Sequence, residues 1–362
     1  MSVEPGDSSA LARHRQAIDQ LDRELIALLN RRALEAQAIG HLKGDDAPYY
    51  RPEREAQVLR RVRADNPGPL PDDAVAGIFR QIMSACLALE KQLRIGYLGP
   101  AGTFSHAAVR KHFGDGVSAE PHASIDEVFR AAEAGQVDYA VVPVENSTEG
   151  AVGRTLDLMT QTPLSIVGEI KLRIQQYLSS KEDSLDSVVK IYSHAQSLSQ
   201  CVLWLSRHAP KAARIPVASN AEAARLAASE PGSAAIAGES AAVLYGLNVL
   251  AAHIEDEPNN TTRFWVLGKQ NVPPSGKDET SLVMAAQNKH GAMHALLEPF
   301  ARHGVSMTRL ESRPSRTGLW EYFFFVDILG HRDDSVVATA LEELSGKASF
   351  LKVLGSYPAA GS

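Results

Sequence analysis

The chain has 362 residues, enough for two or three domains, and its 44% apolar and 22% charged content is that of a soluble globular protein. A net charge of −6 with scattered basic residues excludes a nucleic-acid footprint, and the two cysteines, Cys86 and Cys201, have no metal-ligand spacing and offer no disulfide framework. Residues 1–10 do not read as a signal peptide, and no apolar run reaches membrane length. The expectation is a cytoplasmic protein in a reducing compartment, with no metal and no cofactor.

Residues 11–43 contain no proline, and only Gly40 interrupts. Ile18, Leu21, Leu25, Leu28 and Leu29 recur at helical spacing, which predicts one helix of roughly thirty residues, about 50 Å long. A helix that long must pack against something outside its own short segment. A second helix is expected over 52–64 and a third over 71–93, with Asn66-Pro67-Gly68-Pro69 between them. Arg15, Arg32 and Lys43 continue the apolar line of the first helix. Arg32 and Lys43 share a face at about 16 Å, leaving room for a small dianion. Arg15 lies about 25 Å from Arg32, so it serves the same site only from a second copy of the chain. Taken singly, each reads as a solvated or snorkelling charge.

The pattern Arg15-x-x-Ile18-x-x-Leu21-Asp22, Leu28-Leu29-x-x-Arg32, Lys43 and Tyr50-Arg51-Pro52-Glu53-Arg54-Glu55 resembles the all-helical chorismate mutases. In that family two copies interlock and each site borrows an arginine. The resemblance implies a chorismate site of Arg15 from the partner with Arg32, Lys43, Arg51, Glu55, Cys86 and Glu90. Arg51, Cys86 and Glu90 stand where some members have aspartate, serine and glutamine. The reaction needs cations and a hydrogen-bond donor at an ether oxygen, a role the resemblance gives to Lys43 and Glu90 beside Arg32.

From Arg94 the pattern becomes α/β. A strand, Arg94-Ile95-Gly96-Tyr97-Leu98, runs into Gly99-Pro100-Ala101-Gly102-Thr103-Phe104-Ser105-His106, a turn that presents N–H groups and hydroxyls at a helix start. Further polar clusters follow apolar strands: Glu145-Asn146-Ser147-Thr148-Glu149-Gly150 after 139–144, and Ser193-His194-Ala195-Gln196 after Ile191-Tyr192. A strand is expected over 166–178 and helices over 124–134 and 219–228. Asn259-Asn260-Thr261-Thr262-Arg263 leads into a strand at Phe264-Trp265-Val266-Leu267. By itself this last stretch reads as a polar turn. Four such clusters at strand ends suggest one cleft that holds a small polar anion. The glycine pattern is not G-x-G-x-x-G, so dinucleotide chemistry is disfavoured, and no G-x-S-x-G elbow supports a hydrolase.

These four motifs, in this order over about 94–267, resemble prephenate dehydratase. The resemblance implies two α/β lobes like bacterial binding proteins, loss of water and carbon dioxide from prephenate, and Thr262 as proton donor. The implied prephenate residues are Thr103, Ser105, Asn146, Ser147, Thr148, Ser193, Gln196, Thr262 and Arg263.

After a linker expected over 270–279, the order β-α-β-β-α-β predicts a ferredoxin-like domain of about eighty residues. Gly291-Ala292-Met293 and Glu311-Ser312-Arg313-Pro314 resemble the effector motifs of ACT domains, which implies phenylalanine bound between two copies. The expected layout is an all-α mutase domain at 1–93, a two-lobed α/β dehydratase domain at 94–270 and an α+β ACT domain at 279–358. The functional expectation is chorismate to prephenate to phenylpyruvate, under phenylalanine feedback, in a homodimer or larger oligomer. Two rivals are a dehydratase whose helical domain only dimerises, and a non-catalytic amino-acid-binding regulator.

Overall fold

The computed structural model describes residues 8–42, 48–286, 289–315 and 322–360. The chain opens with α1 (Ser8–Leu42), α2 (Pro52–Ala64) and α3 (Asp72–Glu90). Pro52 presets the first turn of α2; Glu53 and Glu55 at its start and Arg61 and Arg63 at its end oppose the helix dipole. α1 touches the rest of the chain mainly along α3. Its apolar stripe stays in solvent: Ile18, Leu21, Leu25, Leu28 and Leu29 are each 41–58% exposed.

The first α/β lobe holds β1 (Arg94–Leu98), α4 (Phe104–Phe113), β2 (Ser118–His122), α5 (Ile125–Glu133), β3 (Tyr139–Asn146), β4 (Gly150–Ala151), α6 (Gly153–Met159) and β5 (Ser165–Arg173). The second lobe holds β6 (Tyr177–Ser180), β7 (Lys190–His194), α7 (Ala195–Ser199), α8 (Val202–His208), β8 (Ala213–Val217), α9 (Asn220–Ser229), β9 (Ser233–Ala237), α10 (Glu239–Tyr245) and β10 (Asn248–Ala251). The chain then returns to the first lobe as β11 (Thr261–Gly268), inserted between β3 and β5. The sheets run β2-β1-β3-β11-β5 and β10-β6-β9-β7-β8. Where the sequence suggested a single strand over 166–178, there are two strands in two different sheets. Ile174, Gln176 and Leu178 are all buried, so the alternation of burial runs unbroken through the crossover although Gln176 is polar. The outgoing and returning chains are laced there: Ile174 N–H donates to Asn260 C=O (2.8 Å), and Ile254 N–H to Gln176 C=O (3.0 Å).

The third unit comprises β12 (Asp278–Ala285), α11 (Ala292–Arg302), β13 (Met307–Pro314), β14 (Tyr322–Leu329), α12 (Ser335–Ser345) and β15 (Phe350–Pro358). Its antiparallel sheet runs β13-β14-β12-β15, and strand alternation splits its two faces. Leu282, Met284, Val326 and Ile328 pack under α11 and α12. Val283, Phe325 and Tyr357 join one core with Val144, Leu156, Met159 and Trp265 of the first lobe. The two sheets come so close that a Cβ on Gly355 would sit 2.2 Å from the Ile166 carbonyl oxygen, which only glycine avoids. The segment expected as a linker is pinned: Gln270 Nε2 donates to Tyr50 C=O (3.0 Å), and Tyr139 Oη donates to Gln270 Oε1 (2.8 Å).

Candidate active sites

A cavity of about 510 Å³ lies between the two α/β lobes, and all four polar motifs reach it. Thr103 and Ser105 come from the β1–α4 turn, Asn146 from the end of β3, Gln196 from α7 and Thr262 from the start of β11. Asn146 organises the first lobe's side. Its Oδ1 accepts from the N–H and hydroxyl of Thr148 (3.0 and 2.6 Å), and its Nδ2 donates to Asn260 Oδ1 and Thr262 Oγ1 (both 2.8 Å). The Thr262 oxygen therefore accepts from an amide, and its own proton stays available to the cleft.

Asn220 does the same on the second lobe. Its Oδ1 accepts from Ser193 Oγ and His194 N–H (both 3.0 Å), and its Nδ2 donates to Ser197 Oγ (2.8 Å). Gln176, Ser197, Gln200, Ser219 and Asn220 all line the cavity, yet none stood out in the sequence. Signals were present: Gln196 and Gln200 share a helical face, and Ser219 caps α9, accepting from Glu222 N–H (3.0 Å).

Several expected residues lie elsewhere. Ser193 is buried behind Asn220, and Ser147 is tied to Thr261, whose N–H donates to Ser147 Oγ (3.0 Å). Thr148 acts on the cavity only through Asn146. Arg263 is the clear correction. Alternation along β11 sends Thr262 and Phe264 to the cleft and Arg263 to the opposite face. There its guanidinium bonds Glu169 (Nε–Oε2 2.7 Å), Asp327 and the Tyr357 hydroxyl (3.1 Å). Burial opposes its charge, but Tyr357, Asp327 and Glu169 outweigh this and hold it protonated more firmly than usual.

Among the described residues that line the cavity there is neither Lys nor Arg. Glu149 lines it as well, and the dipoles that can favour an anion there are those of the N-termini of α4 and α9, one from each lobe, with Thr103, Ser105, Ser219 and Asn220 at their mouths. His106 is no candidate base. It accepts from Gly102 N–H (3.1 Å) and stacks on Tyr97, and burial followed by Arg110 pushes its pKa down.

In the helical unit, Arg32 donates to Cys86 Sγ (3.0 Å) across the α1–α3 contact. One step along, a Cβ on Gly40 would lie 2.9 Å from Glu90 Cγ, so Arg32, Cys86 and Glu90 share one seam. Arg15 projects from α1 far along the same helix, and Lys43 lies outside the described residues. Glu55 and Arg51 do not join the seam. Glu55 faces Arg80 (3.6 Å), whose place on α3 precedes Cys86 by more than a turn, and Arg51 pairs with Glu53 (2.5 Å). Burial pushes the Glu55 carboxyl up to about 7, against the lowering effect of Arg80.

In the third unit, the register Ser312–Phe324–Met284 brings the end of β13 and the end of β12 to one edge, two strands or about 10 Å apart. Gly291, Ala292 and Met293 begin α11 beyond the end of β12, and Gly291 has φ +74°, open to glycine. Ser312 shares a face with Phe324, whereas Glu311 and Arg313 point toward the first lobe. Arg313 donates to Asp157 Oδ1 of α6 (3.0 Å).

A helical seam, a two-lobed cleft and a ferredoxin-like sheet on one chain define a multidomain enzyme with two separate sites. Family models match in the same order: chorismate mutase type II over 14–91, prephenate dehydratase over 95–272 and the ACT domain over 280–346. The chain is 55% identical over 350 residues to the bifunctional chorismate mutase/prephenate dehydratase of Neisseria gonorrhoeae, covering 96% of each. It is 50% identical over 361 residues to that of Pseudomonas aeruginosa, covering 98% of this chain and 99% of the relative. The prephenate dehydratase of Arthrobacter aurescens in complex with L-Phe superposes with a TM-score of 0.69 at 35% identity, over 74% of this chain and 90% of that one. The chain belongs to the bifunctional chorismate mutase/prephenate dehydratase family, and it carries both enzyme activities.

Proposed function

We propose that the cleft turns prephenate into phenylpyruvate by a single proton transfer from Thr262, with the rest done by positioning. The ring hydroxyl leaves as water once it is protonated. The bond to the ring carboxylate breaks, carbon dioxide departs, and its electron pair completes the aromatic ring. Substrate and one proton thus become phenylpyruvate, carbon dioxide and water; the proton passes through Thr262, which regains it from solvent. The observation that carries this reading is the Asn146 Nδ2–Thr262 Oγ1 bond of 2.8 Å, which leaves the Thr262 proton free for the leaving oxygen. The two helix N-termini supply a field for the substrate's carboxylates. Thr103, Ser105 and Gln196 line the same cavity and add polar contacts.

For the mutase we propose Arg32, Cys86 and Glu90 as the near half of each site, with Lys43 beside them and Arg15 entering from a second chain. The exposed apolar stripe of α1 supports a dimer in which two such helices cover one another. Phenylalanine binds at the ACT domain, at Gly291, Ala292 and Met293 together with the end of β13, and lowers dehydratase output. Two free, buried cysteines are consistent with a cytosolic enzyme. The direct test supplies chorismate alone and follows both products. Prephenate should rise first and phenylpyruvate after it. Prephenate without phenylpyruvate would remove the cleft reading.

A further inference from the structure

The end of β3 lies beside the start of β11, and the two cross-strand pairs there face opposite ways. Thr262 pairs with Asn146, and Arg263 with Glu145. Asn146 and Thr262 look into the cleft; Glu145 and Arg263 look at the ACT sheet. That sheet presents the complementary pair, because Arg309 of β13 and Asp327 of β14 are themselves cross-strand partners. Arg263 grips Asp327, and Arg309 Nε lies 2.7 Å from Glu145 Oε2. Two ion pairs thus cross between the sheets, each joining a residue of one cross-strand pair to a residue of the other, with Glu169 and Glu279 also beside Arg263. Glu145 and Arg263 belong to the dehydratase domain and Arg309 and Asp327 to the ACT domain, and the first two lie one residue along from the bonded Asn146–Thr262 pair.

The two sides are unequal. Arg263 is held by aligned hydrogen bonds to Glu169 (2.7 Å) and Tyr357 (3.1 Å), and Asp327 also accepts from Ser281 Oγ (2.5 Å). Arg309 is only 8% exposed, yet none of its guanidinium nitrogens makes an aligned hydrogen bond. Arg309 thus meets Glu145 as a close ion pair rather than through an aligned hydrogen bond, a contact whose geometry changes with the position of β13. β13 also carries Glu311, Ser312, Arg313 and Pro314. A ligand that moves this strand therefore pulls directly on Glu145, the neighbour of Asn146.

We propose that Glu145 and Arg263 are positioning residues that act through Asn146 and Thr262, and that the Glu145–Arg309 contact carries the effector signal from the ACT domain to the cleft. This rests on the reading of the ACT domain as the phenylalanine site. The test uses the full-length enzyme and the variants Glu145→Gln, Arg309→Gln and their double. Dehydratase kcat/KM is measured with no phenylalanine and at saturation, phenylalanine binding is measured by calorimetry, and mutase turnover reports folding. In each single variant the ratio of the two kcat/KM values should fall at least about fivefold, since coupling of this kind typically spans about 5–150-fold. Phenylalanine should still bind, and the double variant should lose no more than either single one. The Glu145 side chain is 36% exposed, so Glu145→Gln is expected to fold and carries the test alone if Arg309→Gln does not. A parental ratio in Glu145→Gln overturns the proposal. Loss of phenylalanine binding together with inhibition overturns it too, by moving these residues into the effector site. A parental enzyme indifferent to phenylalanine would instead remove the feedback reading itself, and the coupling with it.

Discussion

The helical unit and the α/β cleft solve the same problem, holding a small dianion, in opposite ways. The described residues that line the cleft all come from the two lobes of one chain. Its side chains sit on strand ends and helix N-termini, and Asn146 and Asn220 each fix hydroxyls by two or more hydrogen bonds. It uses backbone dipoles and neutral donors, with no Lys or Arg among its described lining residues. The mutase seam, as proposed above, relies on cations on long arms, of which Arg32 is in place at Cys86, on a helix whose apolar stripe is uncovered in a single chain. A two-lobed fold can aim dipoles, whereas a lone helix pair offers mainly side chains, and in the proposed dimer a second copy closes it around its ligand.

The sharpest way to break this comparison is Thr262→Ala. It removes the hydroxyl that Asn146 orients and leaves the helical unit untouched. Dehydratase turnover should drop by about 10²–10⁴, and mutase turnover should stay at the parental rate. The check is prephenate consumption against chorismate consumption in the same preparation. Near-normal prephenate conversion would take Thr262 out of the mechanism and leave the cleft as a binding site alone.

The converse test addresses the seam. Arg15→Ala and Arg32→Ala should each abolish most mutase activity while sparing the dehydratase. When the two proteins are mixed and their subunits exchange, each heterodimer should regain up to about one intact site of two. Recovery is read as mutase rate against mixing ratio, with exchange followed by mass. Confirmed exchange with no recovery would mean that each seam is complete within its own chain, and the contrast between the two sites would fail.

The same contrast explains what the sequence disclosed. Strand ends with polar clusters announce themselves, so Thr103, Asn146, Gln196 and Thr262 could be picked out before any fold was known, and each lines the cavity. Side-chain direction was harder. Arg263 sits beside Thr262 in sequence and on the opposite face in space, since neighbours on a strand point apart. Asn220 and Gln176 stayed hidden because nothing in Ser219-Asn220 or Ile174-Gln175-Gln176 separates a cleft residue from a cap or a strand. In the helical unit the 3.6-residue period gave α1 and the line of Arg15, Arg32 and Lys43 along it, whereas Cys86 and Glu90 came from the family resemblance. Glu55 and Glu90 were named together only through the family resemblance, and what separates them is packing: the face α2 turns toward Arg80 depends on how α2 packs on α3 and β15 and how Tyr50, just before it, docks on α4 of the first lobe.

The smallest expected effect lies at that docking site, between the two regions. Glu55 is held near Arg80 (3.6 Å), and beside it Tyr50 bonds His112 of α4 (2.6 Å). Burial raises the Glu55 carboxyl to about 7 from the usual 4.5. The folded chain therefore holds a proton there that the unfolded chain releases. Below the ordinary value both forms are protonated and the contribution is fully present. As the pH rises toward about 7 the folded form is progressively penalised, and stability falls. The shift sets an upper bound of about 3 kcal/mol, and the 19% exposure of the side chain brings it lower. His112 runs the other way. Burial, with Arg80, lowers it to about 3, so it destabilises as the pH drops below its ordinary value. That term is common to the parental protein and to Glu55→Gln, and it cancels in their difference. The stability offset of Glu55→Gln over the parental chain should therefore grow between about pH 4.5 and 7 and be flat on either side. Melting temperatures of both proteins at matched pH give the offset directly. Parallel curves would mean that Glu55 ionises freely, and that the junction between mutase and dehydratase units is wetter than its packing implies.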